Sequence, residues 1–170
     1  MDYIIKFLEK KSDLISRFEL KNGVEAHFLT FLDRPFKGAN SIITDKTGGE
    51  ENDFEFIISF SSYNEELDFE IKSLLATYLD FHYYKSGIVV REGDYFKIPN
   101  FQLIDGFDYI GFYTLHPAYF PQKISSKYLW LLPIFESEYQ FLLKFGSDKF
   151  QDLMEEQDID LTMLDRKPLV

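Results

Sequence analysis

The chain has 170 residues, of which 45% are apolar, and its formal net charge is -11. That length fits one domain, and the apolar content is enough for a packed core, which excludes a disordered chain. The acidic balance argues against sequence-independent nucleic-acid binding and against an anionic membrane surface as a direct partner.

The first part of the chain predicts one helix followed by three strands. Apolar residues at roughly helical spacing predict an amphipathic helix over residues 2–18. Strand-like segments cover residues 24–30 and 41–44, and a period of two over residues 54–60 predicts a strand with a strongly apolar face. A flexible loop, 45–49, follows the second of these strands.

A long helix is predicted to begin at Glu65–Glu66, because acidic residues suit the positive end of the helix dipole. Its apolar stripe comprises Leu67, Ile71, Leu74, Leu75, Tyr78, Leu79 and His82. Residues 87–107 are predicted to be irregular, since they contain several glycines and a proline. Strands are predicted over residues 108–115 and 127–135, and the second of these reads as buried on both faces.

Two short helices are predicted near the end of the chain. The first covers residues 136–145 and stops at Gly146, and Ser147 can cap the second. The order of elements predicts a single α+β domain over residues 1–170, with helices packed on a mixed, largely antiparallel sheet.

The negative charge is concentrated in two segments. Residues 45–70 have a net charge of -8 and residues 136–165 a net charge of -7, whereas the remainder of the chain is mildly basic. This uneven distribution favours an acidic surface patch over a uniform solubilising coat, and a basic partner would complement it.

Candidate partner-binding residues combine acids of the first segment with aromatics expected in loops. Aromatic side chains on loops can contribute much of the binding energy of an interface, although packing of a loop onto a sheet is the competing explanation for each. The candidates are Asp45, Glu50, Glu51, Asp53, Glu65, Glu66, Tyr95, Phe96, Tyr119 and Phe120.

The sequence gives little support for a catalytic motif. The three histidines, His27, His82 and His116, lack zinc-site spacing, and neither a phosphate-binding loop nor a nucleophile elbow is present. Adjacent glutamates more often form a solvated helix face than a catalytic pair. We therefore expect no enzymatic activity, no cofactor and no metal, and an enzyme using carboxylates and a histidine is the weakest hypothesis.

The chain contains no cysteine, which removes disulfides and thiolate metal sites and suits a reducing compartment. Its first residues lack the basic and apolar regions of a signal peptide, and no apolar run reaches the roughly 18–20 residues of a membrane span. The expected location is the cytoplasm, and the sequence leaves the oligomeric state open.

The C-terminal stretch carries the most specific pattern. Residues 129–135 end in Leu-Leu-Pro-Ile-Phe, an acidic helix follows, Gly146-Ser147 leads to Phe150, and Asp165-Arg166-Lys167 lies near the end. This combination resembles the Suppressor of fused-like family, in a bacterial single-domain form. Upstream, the order of elements fits the family from about residue 24, although Lys46-Thr47-Gly48-Gly49 departs from its Thr-x-Gly turn.

The resemblance implies a non-enzymatic α+β domain that binds proteins. Bacterial single-domain relatives are often immunity proteins, encoded beside toxins that they neutralise by direct stoichiometric binding, and a nuclease-like toxin would present a basic surface. Eukaryotic relatives bind and restrain a transcription factor, so a regulatory adaptor is the alternative. Arg166 is expected to fold back onto acids of the preceding helices.

Overall fold

The computed structural model describes residues 12–20, 23, 25–45, 55–80, 90–98, 101, 106, 108–117, 119–120 and 128–170. These residues contain a seven-stranded sheet in the order β1-β2-β3-β4-β7-β6-β5. The strands are β1 (Leu14–Glu19), β2 (Glu25–Phe31), β3 (Asn40–Asp45), β4 (Glu55–Phe60), β5 (Tyr95–Lys97), β6 (Tyr109–Leu115) and β7 (Tyr128–Phe135). All neighbouring strands are antiparallel except β4 and β7, which are parallel.

Helices cover both faces of this sheet. Those in the described ranges are α1 (Glu65–Tyr78), α2 (Glu136–Phe145) and α3 (Ser147–Gln157). Ile71 and Leu75 of α1 share one core cluster with Leu129 of β7, whereas Leu142 of α2 belongs to a second cluster with Trp130. The α+β class and the mixed, largely antiparallel sheet predicted from the sequence are confirmed.

Strand β7 lies at the centre of this arrangement. All eight of its residues are buried, as its continuous apolar run predicts. Leu129 and Leu131 belong to the cluster under α1, while Trp130, Leu132 and Ile134 belong to the cluster under α2 and α3. Alternation of successive side chains therefore lets one strand contribute to both cores.

The predicted N-terminal helix is wrong where the structure describes it. Residues 14–19 form the edge strand β1, paired in register with β2, and residues 2–11 lie outside the described part of the chain. Within β1, Phe18 packs edge-on against Phe28 with ring centroids 5.2 Å apart, whereas Ile15 is exposed. An edge strand can leave apolar residues in solvent, so its apolar residues need not alternate strictly. Their spacing therefore resembled that of a helix.

A second difference concerns β5, which lies inside the stretch predicted to be irregular. Lys97 pairs with Gly111 of β6, and a Cβ at Gly111 would overlap the carbonyl oxygen of Phe96. The pairing of β5 depends on this close approach of the two backbones. A strand of only three residues shows too little alternation of apolar and polar side chains to be predicted from the sequence. The remaining predicted strands and the helices beginning at Glu65 and Glu136 are confirmed, while His82 falls outside the described residues.

The connection between α2 and α3 also differs in detail from the prediction. Gly146 has a positive φ of 82° and ends α2, as predicted, but it also occupies the N-cap position of α3. Ser147 does not cap that helix, because its hydroxyl donates to the carbonyl oxygen of Gly93 at 2.6 Å. The serine thereby fixes α3 to the loop before β5.

A buried ion pair fastens α1 to the sheet. The ammonium of Lys72 lies 2.6 Å from Asp68 Oδ2 and donates to Ser16 Oγ at 3.1 Å. Thr30 Oγ1 of β2 donates to the other carboxylate oxygen of Asp68 at 2.8 Å. Both charged side chains are at least nine-tenths buried, so each relies on the other for compensation.

Replacing Lys72 by methionine should strongly destabilise the fold. The substitution keeps side-chain volume but leaves the Asp68 carboxylate buried without its cation, at a cost of about 3–5 kcal/mol in the free energy of unfolding. The matched control is Lys149→Met, which removes the exposed pair with Asp152 and should cost no more than about 1 kcal/mol. Urea unfolding measures both, and equal losses would contradict this account.

Candidate functional site

A groove lies where the start of α1 meets the C-terminal tail, residues 158–170. It encloses about 340 Å³ and is lined by Ser61, Ser62, Asn64, Glu66, Leu67, Glu70, Leu164 and Asp165. Three of these residues are acidic, and none of the described lining residues is basic. We call it the acidic groove, and its charge favours a cationic ligand.

The two acidic segments of the sequence meet in this groove. Glu66 and Glu70 come from the first segment, and Asp165 comes from the second. The backbone N–H of Ser61 donates to the carbonyl oxygen of Thr162 at 2.8 Å, which holds the tail beside the end of β4. Chain segments about 100 residues apart therefore share one surface.

The start of α1 gives one wall of the groove a fixed geometry. Asn64 is the N-cap, and its side-chain oxygen accepts a hydrogen bond from the N–H of Leu67 at 2.7 Å. Glu66 lies in the first turn, and Glu70 follows one turn later on the same side. The cap satisfies a donor of the helix end, and the dipole favours the nearby carboxylates.

A buried charge pair, which we call the tail latch, holds the opposite wall. It consists of Glu138 in α2 and Arg166 in the tail. Arg166 Nη1 donates to Glu138 Oε1 at 2.5 Å and Nη2 donates to Oε2 at 2.9 Å. Glu138 is fully buried and Arg166 nearly so, which makes this bidentate pair a structural one, as predicted for Arg166.

Backbone groups complete the tail latch. The same carboxylate accepts from the N–H groups of Phe135 and Leu169, at 3.0 and 3.1 Å, and the guanidinium donates to the carbonyl oxygen of Pro133 at 2.7 Å. The guanidinium also lies over the ring of Phe135, 5.2 Å from its centroid. The tail is thus tied to the junction between β7 and α2.

Tyr109 ties down the part of the tail that lines the groove. Its hydroxyl donates to the carbonyl oxygen of Leu164 at 2.6 Å. Burial, which disfavours the charged phenolate, raises the pKa of Tyr109 to about 12.

Comparison with known proteins places this architecture in a family. The sequence profile of the Suppressor of fused protein (SUFU) family matches residues 38–167, which include every lining residue of the acidic groove. The chain belongs to the Suppressor of fused family. None of the curated proteins matches this SUFU-family chain.

Two solved structures share the fold. A protein from Neisseria gonorrhoeae FA 1090, described as a homologue of suppressor of fused, is 17% identical with a TM-score of 0.74, and the match covers 99% of this chain and 93% of that one. A chain of the Sufu–Fu complex is 12% identical with a TM-score of 0.67, covering 99% and 89%. At identities this low, the comparison shows a shared fold alone.

The predicted acidic candidates occupy different places in this SUFU-family domain. Glu65 and Glu66 are exposed at the start of α1, and Glu66 lines the acidic groove. Asp45 is buried at the end of β3, and within the described part of the chain its Oδ2 has no hydrogen-bond partner. The negative charge of Asp45 also contributes to the raised pKa of Tyr128, which is about 12 and results first from burial and then from the charges of Glu55 and Asp45. Glu50, Glu51 and Asp53 lie outside the described residues.

The predicted aromatic candidates divide by burial. Phe120 is buried in the core, and Phe96 stacks on Tyr78 with ring centroids 4.8 Å apart. Tyr95 is half-buried, and its hydroxyl donates to the carbonyl oxygen of Leu142 at 3.4 Å. These three side chains pack the fold, contrary to the expectation of loop anchors, and Tyr119 alone among the four is exposed.

The individual candidates predicted from the sequence did not include Glu70, Asp165 or Phe36, although the acids of residues 45–70 were expected as a group to contact a partner. Helical spacing from Glu66 could have found Glu70, since residues four apart share a helix face. Asp165 belongs to the Asp165-Arg166-Lys167 pattern of the C-terminal stretch, but that pattern does not place it in the groove, because its position depends on the tail latch.

The described histidines lie in surface contacts with glutamates. His27 Nε2 is 2.6 Å from Glu25, and His116 Nε2 is 2.9 Å from Glu92. Over the described part of the chain, no three His, Asp or Glu side chains are arranged to hold a metal ion. No helix there is long and apolar enough to cross a bilayer.

The energetic coupling within the tail latch is measurable. Arg166→Met should cost about 3–5 kcal/mol because it strands the buried Glu138 carboxylate. Adding Glu138→Gln should recover part of that loss, since the double variant contains no uncompensated charge. Urea unfolding of both single variants and the double variant gives the coupling energy, and additive losses would show that the two side chains do not act as a unit.

Proposed function

We propose that this protein is an immunity protein that binds a basic, nuclease-like toxin through the acidic groove and blocks it stoichiometrically. The single observation that supports this most is the convergence of Glu66, Glu70 and Asp165 in one groove with no basic residue among its described lining. A partner surface that complements these carboxylates presents lysine and arginine side chains.

Electrostatics gives such an inhibitor two advantages. A nuclease needs positive charge to hold phosphates, so its active surface attracts an acidic protein and is blocked by it. Opposite potentials also accelerate the encounter, which matters for a toxin that must be neutralised before it acts. The net charge of -11 adds a long-range attraction to the local one.

The groove is also built for recognition without large rearrangement. The Asn64 cap fixes its helical wall, and the Ser61–Thr162 hydrogen bond and the tail latch fix the other. Binding then requires little additional ordering of backbone, which leaves more of the interaction energy for affinity.

Family membership supports a protein as the partner. The related chain of the Sufu–Fu complex was solved bound to Fu, which makes a regulatory adaptor for a cellular protein the second candidate function. The acidic groove suits either role, because it specifies the charge of the partner and not its activity.

The test uses the product of the gene neighbouring this one, which the proposal expects to be the toxin. The variant Glu66→Gln/Glu70→Gln/Asp165→Asn should bind it about 100-fold more weakly by calorimetry and should protect cells poorly, because three carboxylates are lost from the interface. The matched control, Asp148→Asn/Asp152→Asn/Glu156→Gln, removes three exposed acids of α3 and should bind within about threefold of wild type.

Unchanged binding and protection by the groove variant would refute the groove as the toxin site. If the wild-type protein neither binds nor protects against the neighbouring product, the immunity role itself fails. Retention of a cellular protein under those conditions, with weaker retention by the groove variant, would establish the adaptor role instead.

A further inference from the structure

A second cavity lies at the C-terminal end of α3, and none of its described lining residues also lines the acidic groove. It encloses about 240 Å³ between the loop before β5, the end of β6, α3 and the tail. Pockets that hold cofactors or drug-sized ligands occupy roughly 300–1,000 Å³, so this one suits a single side chain. We call it the α3 pocket.

The floor of the α3 pocket is apolar. Leu115 of β6 and Met154 of α3 line it and are each 8% exposed. Ile159 and Leu161 of the tail add half-buried apolar surface. Apolar surface that faces a cavity is stabilised when an apolar group covers it and displaces water. The floor therefore favours an occupant with a hydrocarbon portion.

Three exposed carboxylates line the same cavity, those of Glu92, Glu155 and Asp158. Glu92 lies 2.9 Å from Nε2 of His116, which also lines the pocket. Among the described residues, no lysine or arginine lies within 4 Å of any of these carboxylates. A cation supplied by another molecule would complement them.

The end of α3 independently favours a cation at this place. The C-terminus of a helix carries a partial negative charge, which basic side chains stabilise. Helix α2 follows this rule with Lys144 in its last turn. Helix α3 has no basic residue in its last turn and places Glu155 and Glu156 there instead. Such a breach of a local rule is typical of a functional site, and a bound cation would relieve the repulsion.

Hydrogen bonds hold the walls of the α3 pocket in place. Asp158 adopts a left-handed backbone with φ of 46°, and its N–H donates to the carbonyl oxygen of Glu155 at 3.3 Å, so the chain turns there into the tail. On the opposite wall, the N–H of Gly93 donates to the carbonyl oxygen of Thr114 at 2.8 Å, which fixes the loop beside β6. The pocket is therefore preorganised for an occupant.

We propose that the α3 pocket receives one lysine side chain of the basic protein partner. The four-carbon stem lies on Leu115 and Met154, and the ammonium donates to the carboxylates of Glu92, Glu155 and Asp158. Lysine meets both requirements because its stem covers apolar surface while its ammonium stays among polar groups.

Other side chains satisfy only part of this chemistry. An apolar side chain would displace water from the carboxylates without replacing its hydrogen bonds. Arginine gains most from planar, forked contacts and from stacking on aromatic rings, and none of the described lining residues is Phe, Tyr or Trp. The three donors of an ammonium can instead engage carboxylates that come from different elements.

The α3 pocket and the acidic groove fit within one interface. Leu161 lines the pocket and Leu164 lines the groove, and three residues of chain separate their Cα atoms by no more than about 11 Å. A standard interface covers about 800 Å² on each partner, a patch roughly 30 Å across. The pocket thus rests on the proposed function for its partner, and it deepens that function by assigning a lysine to a defined place.

The experiment titrates the intact protein, labelled with ¹³C at its methionine methyl groups, with acetyl-Gly-Lys-Gly-amide. Met154 lines the pocket and reports on it, while Met163, 42% exposed and outside the described lining, is the internal reference. The norleucine peptide keeps the stem without the ammonium, and the diaminopropionic acid peptide keeps the ammonium on a single carbon. The lysine peptide should shift the Met154 methyl saturably and bind at least about fivefold more tightly than either.

Variants locate the binding. Glu155→Gln/Asp158→Asn should weaken the lysine peptide at least about fivefold, read at the Met154 methyl, and asparagine tolerates the left-handed backbone at position 158. The matched control, Asp152→Asn/Glu156→Gln, makes the same charge change on exposed residues of α3 outside the described lining and should leave binding unchanged.

Several results would overturn the lysine pocket. They are no saturable shift at Met154, equal binding of the three peptides, tighter binding of the corresponding arginine peptide, or equal effects of the pocket variant and its control. Weaker binding at Met154 in the groove variant Glu66→Gln/Glu70→Gln/Asp165→Asn, with no loss in the pocket variant, would also overturn it.

This test is independent of the toxin. Lysine binding at the α3 pocket together with no binding of the neighbouring product would retain the pocket and reject the immunity role. Toxin binding that depends on the acidic groove, with no lysine binding at the α3 pocket, would reject the pocket and retain the immunity role.

Discussion

The bidentate contact between Arg166 and Glu138 is the interaction on which the C-terminal half of this fold depends. One buried carboxylate receives the guanidinium and the N–H groups of Phe135 and Leu169, so it joins β7, α2 and the tail at one point. Removing either charge strands the other in the core. Because the tail supplies Leu164 and Asp165, the tail latch is also what gives the acidic groove its second wall.

Much of the fold follows from periodicity in the sequence. Three elements were predicted from their apolar patterns: β4 from its alternation, β7 from its continuous apolar run and α1 from its apolar stripe. These predictions hold because the side chains that the local pattern makes apolar are the ones that pack into the core. The edge strands β1 and β5 escaped prediction: β1 leaves Ile15 in solvent, and β5 depends on its pairing beside Gly111. Glu66 was predicted at the site, but Asp165 reaches it only through tertiary contacts, which no local pattern encodes.

The distribution of charge connects this architecture to recognition. Structures at 12–17% identity share the fold of this chain, so the fold alone does not specify the side chains of the groove. The carboxylates of Glu66, Glu70 and Asp165 lie on elements whose positions the core determines, the capped helix α1 and the latched tail. A fold that places acids of distant segments together can acquire a new partner by changing side chains, without changing its packing.

Hydrogen exchange of the Arg166→Met variant tests the central claim, that the tail latch positions the tail against the groove. In the wild type, the amides of Leu169 and Ser61 donate to Glu138 and Thr162. Both should exchange at least about tenfold faster in the variant, whereas Ile57 in the middle of β4 should remain more strongly protected. Unchanged exchange at Leu169 and Ser61, or a uniform acceleration that includes Ile57 equally, would contradict the account.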